Sequence, residues 1–196
     1  MTENARLAEI VNAPVSRRKA LLGTGATLSA AVVGLLAGGT TLFSPGTGHA
    51  SGSSQDVRIL NTALAAEHEA VAAYQVGAES GLLKKDALAL AVQFQGHHKE
   101  HIALLSSTVA QLGGQSAEPR ARYVFPVEKL KNQDDVLRFA AGLEQGAVSA
   151  YLGAVPLFGN GDLAKAAASI LGDEAMHWAV LRYVLGENPV PTAFVA

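Results

Sequence analysis

The sequence predicts an all-α protein, a four-helix bundle made of two antiparallel helix hairpins joined by a long crossover. Three observations predict it. First, the chain repeats itself: the segments starting at Glu67 and Glu144 both read Glu-x-x-Ala-Val-x-Ala-Tyr, at an offset of 77 residues. Second, HHKEHIALL and DEAMHWAVL share His-x-Ala-x-Leu from His101 and His177, at nearly the same offset. Third, apolar residues recur at three- and four-residue spacing around both pairs, which is the period of one helix face. A motif pair that occurs twice in the same order implies one helical hairpin built twice.

The elements follow in order. The first helix spans about 55–80, with the stripe Leu60, Ala63, Leu64, Glu67, Val71, Tyr74, and Gly81 ends it. The second spans about 83–112, with Ala87, Leu90, Phe94, His98, His101, Leu105, Thr108 and Leu112 on one face, and stops at Gly113-Gly114. Residues 114–131 carry Pro119 and Pro126 and no helical pattern. The third helix opens at Asn132, a capping residue, with Asp135 in its first turn. Its stripe is Val136, Ala140, Glu144, Val148, Tyr151, and Pro156 kinks or ends it because proline lacks an N–H. After Gly159-Asn160-Gly161, the fourth helix spans about 162–185 with Leu163, Ala167, Ile170, Glu174, His177, Leu181 and Val184, and Gly186 closes it. Short links within each pair make antiparallel hairpins. The long middle link can run the length of the bundle, so the second and third helices can lie parallel.

Composition narrows the chemistry. There is no cysteine, which excludes disulfides, thiolate metal sites and cysteine nucleophiles. A net charge of −2 without a basic patch excludes nucleic acid as a partner. The first fifty residues differ from the rest. Ser16-Arg17-Arg18-Lys19 precedes a mild apolar run from Ala20 to Phe43, and then Gly48 and Ala50 sit at cleavage-site spacing. This segment resembles a twin-arginine export signal. Residues 1–50 are accordingly read as a Tat-type signal peptide and 51–196 as the bundle domain. The expected partner during export is the Tat translocon. The expected location is periplasmic or exported after cleavage near Ala50, and the alternative is an inner-membrane anchor formed by residues 20–43.

Six ionisable residues lie inside the apolar stripes: Glu67, His98, His101, Glu144, Glu174 and His177. Counted from the turns at a rise of ~1.5 Å per residue, they fall within about three turns of mid-bundle. A buried carboxylate is costly unless paired or bound to a metal. Divalent ions supply the compensation, with carboxylates neutralising or bridging and neutral imidazoles completing the coordination. Glu174 and His177 stand at i, i+3 on one face. His97, at i, i+4 to His101, is the alternative inward histidine to His98. Tyr74 and Tyr151 read as core packing, Trp178 likewise, and His68 and Glu69 as solvated.

At this point the chain resembles the ferritin-like family that includes desiccation-related proteins. The resemblance rests on LNTALAAEHEAVAAY, HHKEHIALLSSTVAQLGG, LEQGAVSAYLGAVPLF and ILGDEAMHWAVLRYVLG, roughly 59–186. The di-iron and di-manganese members use one Glu from each of two helices and Glu-x-x-His from the other two. The resemblance therefore implies Glu67 and Glu144 in the single positions, Glu174 and His177 as one Glu-x-x-His, and His101 as the histidine of the other. One position departs: His98 stands where the pattern needs Glu, and the internal repeat aligns it with Glu174. Three arrangements stay open: an asymmetric dinuclear site, a single ion, or a different metal. The expected cofactor is Fe or Mn, dinuclear, with Zn or Cu as alternatives for an imidazole-rich set.

Two functions compete. One is an oxidoreductase whose dinuclear Fe or Mn centre reacts with O2 or peroxide, as ferroxidases and manganese catalases do. The other is a non-enzymatic metal-binding or stress-protection bundle of the cell envelope, related to desiccation proteins. A homodimer is left open.

Overall fold

The structure is a computed structural model that describes residues 50–195. The export signal and the alternative anchor at 20–43 lie outside the described residues. Four long helices carry the fold: α1 (Ala50–Glu79), α2 (Lys85–Gln111), α3 (Gln133–Ala154) and α4 (Gly161–Val184). Short 3-10 turns occupy Val127–Lys129 and Val155–Leu157. No strand occurs among the described residues. Pro156 sits in the second of these turns and ends α3 as its missing N–H requires.

The helix ends follow local chemistry. The Asn132 side chain accepts a hydrogen bond from the Asp135 N–H at 3.0 Å, and Asp135 Oδ2 accepts from the Lys131 N–H at 2.9 Å. Asn160 caps α4 by accepting from the Asp162 N–H at 2.8 Å. Gly81 and Gly113 take the left-handed conformation, with φ of 72° and 74°, which a glycine reaches without steric cost.

The contacts at the two ends of the bundle set the topology. At one end, the Lys84 N–H donates to Gln133 Oε1, and Gly77 packs against Val136. The end of α1 and the starts of α2 and α3 therefore meet. At the other end, the Gly159 N–H donates to Asp56, and Asn61 bonds the backbone at Gln115 and Ala117. The start of α1 meets the end of α3 and the end of α2 there. So α2 and α3 run parallel, and the crossover traverses the full length of the bundle between them. α1 is flanked by α2 and α3, and α4 by α3 and α2.

Two apolar clusters sandwich the ionisable layer. One contains Leu60, Leu64, Leu105, Val109, Leu163 and Ile170, and the other Tyr74, Phe94, Leu137, Ala140 and Leu181. The α3 stripe is buried throughout. On α2 the buried residue near the end is Val109, not Thr108, because a helix of 3.6 residues per turn drifts around its axis relative to a fixed stripe. Val184, at the end of α4, is 38 % exposed for the same reason. Glu69, expected in solvent, is buried with its Oε2 unpartnered. It lies between Ala66 and Ala73 on the arc of α1 that α3 and the crossover residues Phe125 and Leu130 cover.

At the α2 terminus a Cβ added to Gly114 would stand 2.7 Å from a Val57 methyl. Gly114→Ala is expected to destabilise the fold by about 1–3 kcal/mol through overpacking, read as a lowered midpoint in a urea melt. An unchanged midpoint would show that α1 and the α2 terminus are not in close contact.

Candidate metal centre

All six sequence-predicted residues meet at mid-bundle. Glu67 comes from α1, His98 and His101 from α2, Glu144 from α3, and Glu174 and His177 from α4. Glu174 is 0 % exposed, His98 and Glu144 1 %, and His177 2 %. His98 is the inward member of its pair. His97 turns outward, with 34 % of its side chain exposed.

The donors fall into two quartets that share two residues: Glu67, His98, His101 and Glu174; and His98, Glu144, Glu174 and His177. His98 presents one ring nitrogen to each. Its Nδ1 lies 2.8 Å from Glu67 Oε2, and its Nε2 lies 3.4 Å from Glu144 Oε1. Glu174 divides its oxygens in the same way. Oε1 is 3.2 Å from His101 Nδ1, and Oε2 is 3.4 Å from His177 Nδ1. His177 Nδ1 also stands 3.4 Å from Glu144 Oε1. Ligands held on one ion at about 2.0–2.2 Å stand roughly 3.0–3.5 Å apart, so these spacings suit a shared cation.

Hydrogen bonding leads to the same conclusion. Among the described residues six buried side-chain atoms lack a hydrogen-bond partner, and all but one line this centre: His98 Nε2, His101 Nδ1, both oxygens of Glu174 and His177 Nδ1. Buried polar atoms without partners cost about 1–3 kcal/mol each, more when charged. Buried donor atoms that converge without completed hydrogen bonds are what a divalent cation satisfies, so the donor set fits a metal.

Two tyrosines that the sequence reading assigned to packing do more. The Tyr151 hydroxyl donates to Glu67 Oε1 at 2.6 Å, and the Tyr74 hydroxyl donates to Glu144 Oε1. Each hairpin's tyrosine thus serves the other hairpin's glutamate. Side chains in a helix lean toward its N-terminus, so a tyrosine two turns past a glutamate reaches back to that level. The signal was present in the sequence, since both repeat copies place Tyr seven residues after Glu. Asp173 was also missed. Its Oδ2 lies 3.3 Å from His97 Nδ1, His101 Nε2 and His177 Nε2.

Alanines of α1 and α3 leave a cavity of about 20 Å³ against Glu67, His98 and Glu144, room for one water-sized molecule. The electrostatics are those of a self-neutralised cluster. Burial alone would raise Glu67 and Glu144, but the facing histidines dominate, holding Glu67 at about 2 and Glu144 well below its usual range. Burial would lower the histidines, but the carboxylates outweigh it, raising His177 to about 9, His101 to about 10 and His98 well above its usual value. Burial and the neighbouring Glu144 push Glu174 up to about 7. Burial, followed by the adjacent carboxylates, raises both tyrosines and keeps them as proton-bearing donors.

A ferritin-like domain matches residues 55–187. The chain belongs to the ferritin-like domain family. Its fold is similar to the crystal structure of a conserved hypothetical protein, rv2844, from Mycobacterium tuberculosis, with a TM-score of 0.61 and 21 % identity over 67 % of this chain and 97 % of that one. That likeness is one of fold. No relative was found among curated proteins.

Two outcomes are expected for the metal-free chain. The raised histidines stabilise the fold fully below their usual value of 6.5 and lose that contribution as pH rises through about 9 and 10. Glu67 contributes above 4.5 and loses its contribution only as pH falls toward 2, whereas Glu174 opposes folding increasingly from 4.5 to about 7. Thermal melts after chelation should therefore peak near about pH 5 and fall steadily to pH 10. A flat profile from pH 5 to 10 would show the histidines are not paired with these carboxylates. Separately, Tyr151→Phe removes a donor to a buried carboxylate and should cost about 1–3 kcal/mol in a denaturant melt. A cost near zero would mean the hydroxyl is dispensable.

Proposed function

We propose that this protein is an exported ferritin-like metal-binding oxidoreductase, with a dinuclear Fe- or Mn-type centre of unequal halves that reacts with dioxygen or peroxide. The observation that carries the reading is the convergence of five unpartnered buried donor atoms from His98, His101, Glu174 and His177. Glu67 and Glu144 complete the two quartets. The proposed ligands are thus the six residues that the sequence singles out. A bound iron or manganese pair would supply electron exchange with dioxygen or peroxide.

The chain's own residues have definite tasks in this reading. Glu174 offers one oxygen to each half and holds the halves together. Tyr74 and Tyr151 keep Glu144 and Glu67 oriented by donating to one oxygen of each. The cavity against Glu67, His98 and Glu144 gives a small oxidant a place beside the donors while the alanine walls exclude bulk water. His98 makes the halves unequal. Its Nδ1 is already engaged with Glu67 at 2.8 Å, so the half containing Glu144 and His177 has the freer donors. The histidine-rich set also suits Zn or Cu. Export rests on Arg17-Arg18 and the apolar run after them.

A second reading has its own support. With three carboxylates facing three imidazoles, the centre can neutralise itself without an ion. A non-enzymatic envelope bundle of the desiccation-related kind is consistent with that balance.

Elemental analysis of the chain from Ser51, purified without chelator, separates the two. About two Fe or Mn per chain, with turnover of peroxide or Fe(II), is the expected result. No metal after reconstitution would overturn the oxidoreductase. Glu174→Ala removes the shared carboxylate and should abolish metal binding while helicity by circular dichroism is kept. His98→Glu should raise Fe or Mn occupancy. Arg17-Arg18→Lys-Lys should block export, and secretion that continues would mean another route.

A further inference from the structure

The two open sides of the bundle differ. On the α1–α3 side a small alanine-walled cavity reaches the centre, too narrow and too apolar for a hydrated cation. On the opposite side, α2 and α4 diverge into a groove of about 520 Å³. Its walls carry His97, Glu100 and His101 from α2 and Asp173 and Met176 from α4. Glu100 and Asp173 supply carboxylates to it, and no lysine or arginine lines it. Of the six central residues, His101 reaches this groove, and its side chain is 13 % exposed.

The groove floor is connected to the centre by two histidines that face both ways. His101 and His177 each turn Nδ1 inward, toward Glu174, and Nε2 outward, to 3.3 Å from Asp173 Oδ2. His97 Nδ1 lies 3.3 Å from the same oxygen and 2.8 Å from His177 Nε2. His97 and Asp173 of the groove wall and the buried His177 thus bring three ligand atoms together, and His177 is shared with the second central quartet. Asp173 is 23 % exposed and His97 34 %, so an ion held there would keep water ligands.

We propose that this groove is the loading port of the centre, and that His97, Asp173 and the outward Nε2 of His177 form a third, solvent-facing site where a divalent cation stops before passing inward. The inference rests on the reading of the centre as a metal site. Glu100 and Asp173 meet the arriving cation, His97 and Asp173 replace part of the hydration shell, and His101 and His177 carry donors on both sides of the wall. The transfer is an exchange of ligands without change of oxidation state, and the water displaced returns to the groove.

The test is the rate of uptake of Co(II), followed by the visible absorption of the bound ion after rapid mixing with metal-free protein. His97→Ala removes an outer ligand, and Ser169→Trp fills the groove from an exposed position that supplies no ligand. Both are expected to load about tenfold or more slowly than wild type while reaching the same final amount of bound Co(II). His97→Asp keeps a cation ligand and should recover most of the lost rate. Full uptake at unchanged rates in His97→Ala and Ser169→Trp overturns the port and leaves the centre standing. A lower final amount in His97→Ala also overturns it, because His97 would then be a ligand of the centre itself. A wild-type chain that takes up no Co(II) at equilibrium overturns the reading of the centre and the port with it.

Discussion

Three carboxylates and three imidazoles sit with almost no solvent at the middle of a bundle built largely from alanine and leucine. Charges there must be compensated, by one another or by an ion, and every other part of the structure accommodates that need. The apolar clusters above and below keep water out and so strengthen each pairing across the centre. The four helices each contribute at least one member, so no helix can shift along its axis without breaking the arrangement. The tyrosines add a hydroxyl donor to each of Glu67 and Glu144.

His98 is the most informative position. A glutamate there would add a fourth negative charge and leave an ion as the only adequate compensation. The imidazole changes the balance in two ways: it equalises acids and bases, and it splits its two nitrogens between the two quartets. In the proposed centre an ion bound through one nitrogen would alter the basicity of the other, so affinities in the two halves would be linked, and reciprocally. Unequal halves follow from the residue itself, without any distortion of the helices around it.

Much of the fold was legible because it rests on local chemistry. Asn132 and the glycines at 81, 113 and 186 mark helix ends wherever they occur, and the four apolar stripes have helical period. The six central residues stood out because an ionisable residue in an apolar stripe is conspicuous and the internal repeat doubled each signal. What stayed hidden depends on how helices lie against one another. The tyrosine–glutamate contacts need the antiparallel register of α1 on α3. The role of Asp173 beside three histidines needs the approach of α4 to α2. Glu69 reads as a surface residue until the crossover and α3 cover its arc of α1. Val109 displaces Thr108 for a smaller reason, the slow rotation of a long helix relative to its stripe.

The crossed tyrosines have a further meaning for the chain as a polymer. Each hairpin lacks something that only the other provides, a hydroxyl for its glutamate and half of the central donors. Two such hairpins as separate molecules would have to find each other from dilute solution and lose translational freedom on docking. The crossover tethers them, turning a bimolecular encounter into an intramolecular one at high effective concentration. Its length is set by the need to return along the whole bundle so that the second hairpin arrives inverted on the first. The irregular, proline-bearing segment is thus what allows a duplicated half-site to behave as one centre.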